Sequence, residues 1–326
     1  MKKIFYIILT PFFLLKISLA QDFHLSQFDA NPLNINPALT GERLSGKNGI
    51  KLNINYRDQI AKYSNANGSF RTIAGAIDIP LNRRFSLGQY IGNNQSVNGI
   101  FTTNNLMLST AYNIINPALD SSQRQNLSVG LQCGLVNINV NPQNNTYGSQ
   151  YSPTAQNGFD SNIESGENLI RANVYKFNVN FGIYYRTKFR NDKHTAYSGF
   201  SLYNITKPNQ SLINGVISTL PIRYNFHGGA IYKVDDRISL NPEFLYMNQA
   251  KANELNMRLL LLYKLNKQYE ASFGIGHRKK NATILYLGLK VNGSVFRASY
   301  CIVTGYLYEY SNRGLEFSVI HLINKK

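Results

Sequence analysis

From Asn173 to Arg186 apolar and polar positions alternate along the chain without a break. Tyr175, Phe177, Val179, Phe181, Ile183 and Tyr185 stand on one parity; Lys176, Asn178, Asn180, Gly182, Tyr184 and Arg186 stand on the other. A period of two marks a β-strand with unlike faces. Strands in soluble sandwiches usually run about 5–6 residues, whereas a tilted crossing of a bilayer takes about 9–11. The length of this alternation predicts a membrane-spanning strand. The same pattern sets Ile50, Leu52, Ile54 and Tyr56 against Lys51, Asn53, Asn55 and Arg57, and it runs through Ile222–Lys233 and Ile238–Tyr246. It returns in Leu255–Leu265, Tyr269–Gly276, Thr283–Val291 and Val295–Val303. Leu315, Phe317, Val319, His321 and Ile323 form a closing strand.

About twelve to fourteen such segments can be counted, and single-chain bacterial barrels have even strand numbers. The expectation is an all-β fold: an outer-membrane antiparallel β-barrel of 14 strands, with 12 as the alternative. Leu81–Phe101 is where the pattern is weakest.

The N-terminus carries an export signature. Lys2 and Lys3 precede an apolar run from Ile4 to Leu15, and Ser18-Leu19-Ala20 offers a small-x-small cleavage site. The run is shorter than the ~20 residues of a spanning helix. Residues 1–20 are therefore expected to be a signal peptide cleaved after Ala20. The domains expected are that signal, a segment at 21–48 outside the strand wall, and a barrel at 49–326.

Residues 21–41 fit no strand. The segment holds Asn31-Pro32 and Asn36-Pro37, and the residue before a proline is pushed out of the helical region. It is expected to be extended, with two fixed bends, in the lumen or at the periplasmic mouth. Its amides and pre-set backbone suit either docking of a partner at little entropic cost or plugging of the lumen.

Gln27-Phe28, Ala30-Asn31-Pro32-Leu33, Asn36-Pro37-Ala38 and Gly41 resemble the start of the mature chain in the PorP/SprF family of type IX secretion system membrane proteins. Asn55-Tyr56-Arg57-Asp58-Gln59, Gly130-Leu131-Gln132 and Asn204-Ile205-Thr206-Lys207-Pro208 extend the resemblance over nearly the whole mature chain. Tyr300 is followed by Cys301, where the family tends to have Asp, so no role for that Asp transfers. The resemblance implies a non-enzymatic outer-membrane component of type IX secretion. It would support export or surface attachment of specific cargo, such as adhesins of gliding bacteria. Its implied partners are the periplasmic ring components, the cargo and outer-membrane lipids. The docking or plug residues it singles out are Gln27, Phe28, Asn31, Pro32, Asn36, Pro37, Gly41, Tyr56 and Arg57. A passive porin or hydrophobic-solute channel is the alternative function.

Composition narrows the remaining classes. The net charge of +17 becomes +14 without Lys2, Lys3 and Lys16, but the charges are scattered singly, which argues against nucleic acid. Anionic head groups, an acidic partner or a solvated basic lumen fit better. The 22 Tyr and 18 Phe, with no Trp, suit an interfacial girdle, for which Tyr184, Tyr185, Tyr246, Tyr263, Tyr286 and Tyr300 are the candidates. Cys133 and Cys301 fall on opposite parities and are expected to be unbonded. The five His lack zinc-site spacing, and no nucleophile elbow or phosphate loop is present. No catalytic site, cofactor or metal is expected. His194 near Asp192 and His277 near Arg278 read as loop residues.

Overall fold

A computed structural model describes residues 25–42, 49–61, 69–96, 99–116, 124–141, 147–155, 158–160, 162–164, 166, 173–190, 193–212, 215–305 and 311–324. The signal-peptide reading and residues 21–24 lie outside them.

Fourteen antiparallel strands close into one barrel. They are β1 Gly49–Ala61, β2 Ser69–Pro80, β3 Phe85–Gln95, β4 Phe101–Ile115, β5 Gln125–Val140, β6 Asn173–Phe189 and β7 His194–Tyr203. The second half holds β8 Arg223–Lys233, β9 Ile238–Gln249, β10 Ala252–Lys264, β11 Tyr269–Arg278, β12 Ala282–Val291, β13 Ser294–Val303 and β14 Ser311–Asn324. Each pairs with its neighbours in sequence, and β14 returns to β1 with Ile54 opposite Val319. Closure removes the unpaired edges that an open sheet would leave in lipid. The count settles on fourteen. In the weak stretch, β3 and β4 flank Gln95–Phe101, and a turn at 81–84 precedes β3. That turn is fixed by the Asn82 side chain, which accepts from the backbone N–H groups of Arg84 and Phe85.

The polarity is inverted relative to a soluble domain. Ile54, Ile73, Ile77, Phe177, Leu287 and Phe317 lie exposed on the outer face. Asn53, Asn55, Gln132, Asn180, Asn225 and Glu316 are buried on the inner one. Lipid is the solvent that favours the first set. Two girdle expectations are corrected: Tyr184 and Tyr286 point inward and are 2% exposed. Tyr184 shares the parity of the buried Asn180 and Arg186, and Tyr286 that of the buried Ala282 and Ile284, so strand parity overrides the preference of tyrosine for the interface. Tyr185, Tyr246 and Tyr300 do face outward. Cys133 and Cys301 are free, and Cys301 is buried on the inner face.

Connections at the end where β1 starts and β14 stops are short, as at 234–237, 265–268 and 292–293; those at the other end include 141–172 and 204–222. Short turns face the periplasm in outer-membrane barrels and long loops face outward. The loop around Asn141–Asn168 therefore belongs to the external end.

Candidate functional site: the lumenal segment

Residues 25–42 lie inside the barrel. They are not extended. Phe28–Ala30, Pro32–Asn34 and Pro37–Leu39 are single 3-10 turns. Pro32 and Pro37 open the second and third, where a missing N–H costs nothing and a fixed φ helps. Asn36 is the cap: its side-chain oxygen accepts from the Ala38 N–H at 2.9 Å. The sequence expectation of two bends was too sparse because proline limits the preceding residue yet suits the first position of a turn.

The segment reaches every strand. Gln27 anchors it to β14. Its backbone N–H and that of Ser26 donate to the Glu316 carboxylate at 2.9 and 2.7 Å. The Gln27 amide nitrogen also donates to Ser299 and to the Glu316 carbonyl. Ser26 accepts from Arg278 and from the Tyr286 hydroxyl. The opposite wall holds the second turn: the Leu33 carbonyl accepts from Tyr203 and Gln132, and that of Ile35 from Ser201 and Asn225. Thr40 meets Ser109, and the Gly41 N–H donates to Asp78 at 2.9 Å. Gly41 holds φ +76°, a region that suits glycine. Glu42 closes the lower end on Arg186 and Asn126, while Phe28 and Ile35 pack against Leu245.

Asn36 sits in a hollow made by absent side chains. A Cβ on Gly182 would lie 1.9 Å from the Asn36 oxygen, on Gly199 2.6 Å from its nitrogen, and on Gly130 2.3 Å from the Ala38 backbone. Into that hollow the Asn36 nitrogen donates to the Ile183 carbonyl at 2.9 Å and stands 3.1 Å from the His227 ring. Asn31 is equally buried, but its amide makes no hydrogen bond to the protein. The two asparagines therefore separate by mutation. Asn36→Ala strips buried partners and should lower stability by about 1–3 kcal/mol, whereas Asn31→Ala should change it by less than about 1 kcal/mol. Heat-modifiable gel mobility across temperature reads both, and equal losses would contradict the assignment.

Charge is concentrated at Asp29. It bridges Arg297 at 2.7 Å and Arg258 at 2.6 Å, and Arg258 also binds Glu243. Burial alone would raise the Asp29 pKa. The two guanidiniums outweigh it and hold the carboxyl well below the usual carboxylate range.

Of the residues singled out from sequence, Gln27, Phe28, Asn31, Pro32, Asn36, Pro37 and Gly41 come together in this segment. Arg57 is inward and buried, bound to Gln59. Tyr56 faces outward, bonded to Asp58, and takes no part. Sequence reasoning did not single out the receivers Asp78, Glu243, Arg258, Arg297 and Glu316. The available signal was a charge on the polar parity of an otherwise apolar membrane strand.

The family model for the type IX secretion system membrane protein PorP/SprF matches residues 17–321. The chain belongs to the PorP/SprF family. This family member is also similar in fold to solved outer-membrane barrels. The CymD monoaromatic hydrocarbon channel aligns with a TM-score of 0.53 at 12% identity, over 91% of this chain and 93% of that one. The deltaS2S3 mutant of the TodX monoaromatic hydrocarbon channel gives 0.55 at 10%, over 90% and 94%. The Pseudomonas putida toluene transporter TodX gives 0.51 at 9%, over 88% and 91%. At such identities the likeness concerns architecture alone. No curated protein matches the chain. The family and the barrel make this an outer-membrane protein.

Proposed function

We propose that this PorP/SprF protein is a non-enzymatic outer-membrane component of type IX secretion that supports export or surface attachment of a specific cargo, such as an adhesin of a gliding cell. The family match along nearly the whole chain carries the reading. Within it, residues 25–42 act as a lumenal plug and not as a free docking peptide. Gln27, Asn31 and Asn36 are fully buried, so a partner could touch them only after the segment left the barrel. A passive porin fits less well, because the same segment bonds to both sides of the lumen.

The periplasmic end supports a protein partner. Arg83, Arg84, Arg190, Lys193, Arg237 and Lys267 are exposed on its turns, against Asp235 and Asp236. An acidic face on a ring component is complementary to this rim, and such steering weakens with salt. Affinity purification from the outer membrane should recover ring components and a large secreted protein. Arg83→Glu, Arg237→Glu and Lys267→Glu together should cut ring recovery at least tenfold while leaving the barrel folded. Recovery of the barrel alone from wild-type cells would overturn the secretion reading.

A further inference from the structure

The wall is interrupted between β8 and β9. The ladder pairs Gly228 with Phe244 and Gly229 with Glu243, then resumes only at Tyr232 and Leu240. Pro242 stands in the gap. It has no N–H to give, and proline is uncommon inside a sheet for that reason. By register Ala230 stands opposite Pro242 with only a methyl group, and on the inward side the Tyr197 ring occupies the space beside Gly229.

A pocket of about 830 Å³ lies there. Its outward lining is apolar: Phe244, Met257, Leu259 and Ile275, beside Ala230 and Pro242. It also reaches inward-facing residues, namely Tyr197, Glu243, Arg258 and Gly276. A second cavity of about 610 Å³ inside the barrel shares Tyr197, Glu243 and Phe244 with it and is floored by Phe28, Asp29 and Ile35 of the segment. One patch of wall thus separates lipid from a lumenal space.

The Arg258 side chain is fully buried, and its Nη1 has no hydrogen-bond partner in the protein. A buried guanidinium N–H left unpaired is costly, so an acceptor oxygen is favoured beside it. The charges nearby already balance: Arg258 and Arg297 face Asp29 and Glu243. A neutral acceptor therefore suits the site better than an anion, which Glu243 would repel. The medium that meets the outer lining is the hydrocarbon of the membrane.

We propose that this breach in the wall is a binding site for an acyl ester. Its hydrocarbon chain lies over Met257, Leu259 and Ile275, and its ester carbonyl oxygen accepts from Arg258. The site is distinct from the plug, though it shares Arg258 with the Asp29 pairing, and it does not depend on the secretion reading.

The test uses the full-length protein in detergent with two photoreactive probes, a diazirine-bearing glycerophospholipid and the corresponding free fatty acid, followed by mass-spectrometric mapping. The phospholipid should label Met257, Leu259 and Ile275 at least fivefold above Leu287 and Phe317, which face lipid elsewhere on the belt. Ala230→Phe, which fills the pocket from outside, should remove that excess and leave Leu287 labelling unchanged. If that variant does not fold, the wild-type map alone decides. Even labelling around the belt would mean annular lipid only and would overturn the proposal. Preferential labelling of the pocket by the free acid would overturn the ester assignment.

Discussion

Removal of residues 22–41 should convert a closed barrel into a conducting one. The wall of fourteen strands holds itself together through its own backbone ladders, from β1–β2 round to β1–β14. A barrel of this circumference is wider than the eight-stranded kind that side chains alone can fill. The charges that the segment now covers, Glu316, Arg297 and Arg258, would then be met by water, which compensates for lost partners far better than an apolar surface would. Purified deletion protein should keep its heat-modifiable mobility and show ion conductance in planar bilayers, while the intact protein stays closed. A deletion protein that does not form a barrel would make the segment a brace required for assembly. One that forms but stays silent would assign closure to the external loops.

The second large effect belongs to Asp29. Replacing it with alanine leaves Arg258 with Glu243 as its carboxylate partner and removes the ion-pair partner of Arg297. Breaking a buried pair from one side costs about 3–5 kcal/mol, and the partial exposure of Asp29 toward the lumenal cavity places it at the low end. Asp29→Ala should therefore unseat the first turn and give intermittent conductance without loss of the barrel. Acid should reproduce this. The folded pKa of Asp29 is depressed, so its contribution is fully present above the unfolded value of about 3.9 and is lost as pH falls below it toward the folded value. Conductance of the intact protein should stay flat from pH 7 to 5 and rise only in stronger acid. A transition near pH 6 would assign the control to another group.

The strand wall was largely legible in the sequence because the inside-out alternation is long and regular. Asn173–Arg186 is β6 cut three residues short, and Tyr269–Gly276 is β11 cut two short. Phe85–Gln95 was obscure because Gly88 and Gly92 interrupt its side-chain pattern. Tyr184 and Tyr286 misled because composition says nothing of parity. The turns of the lumenal segment were foreshadowed by two prolines, but their landing places were not. Asn36 meets Gly182 and Gly199, and the Pro37–Ala38 backbone meets Gly130, on three different strands, and no local pattern links positions so far apart.

Gln27 and its receiver Glu316 are separated by 289 positions, nearly the length of the chain. Contacts so distant in sequence form late and slowly. Ser26 and Gln27 must wait for β14 before their hydrogen bonds are complete. The same strand seals the seam with β1. Seating the plug and sealing the wall are thereby coupled into one closing event, so an unfinished barrel would carry its most polar interior open to whatever folds it.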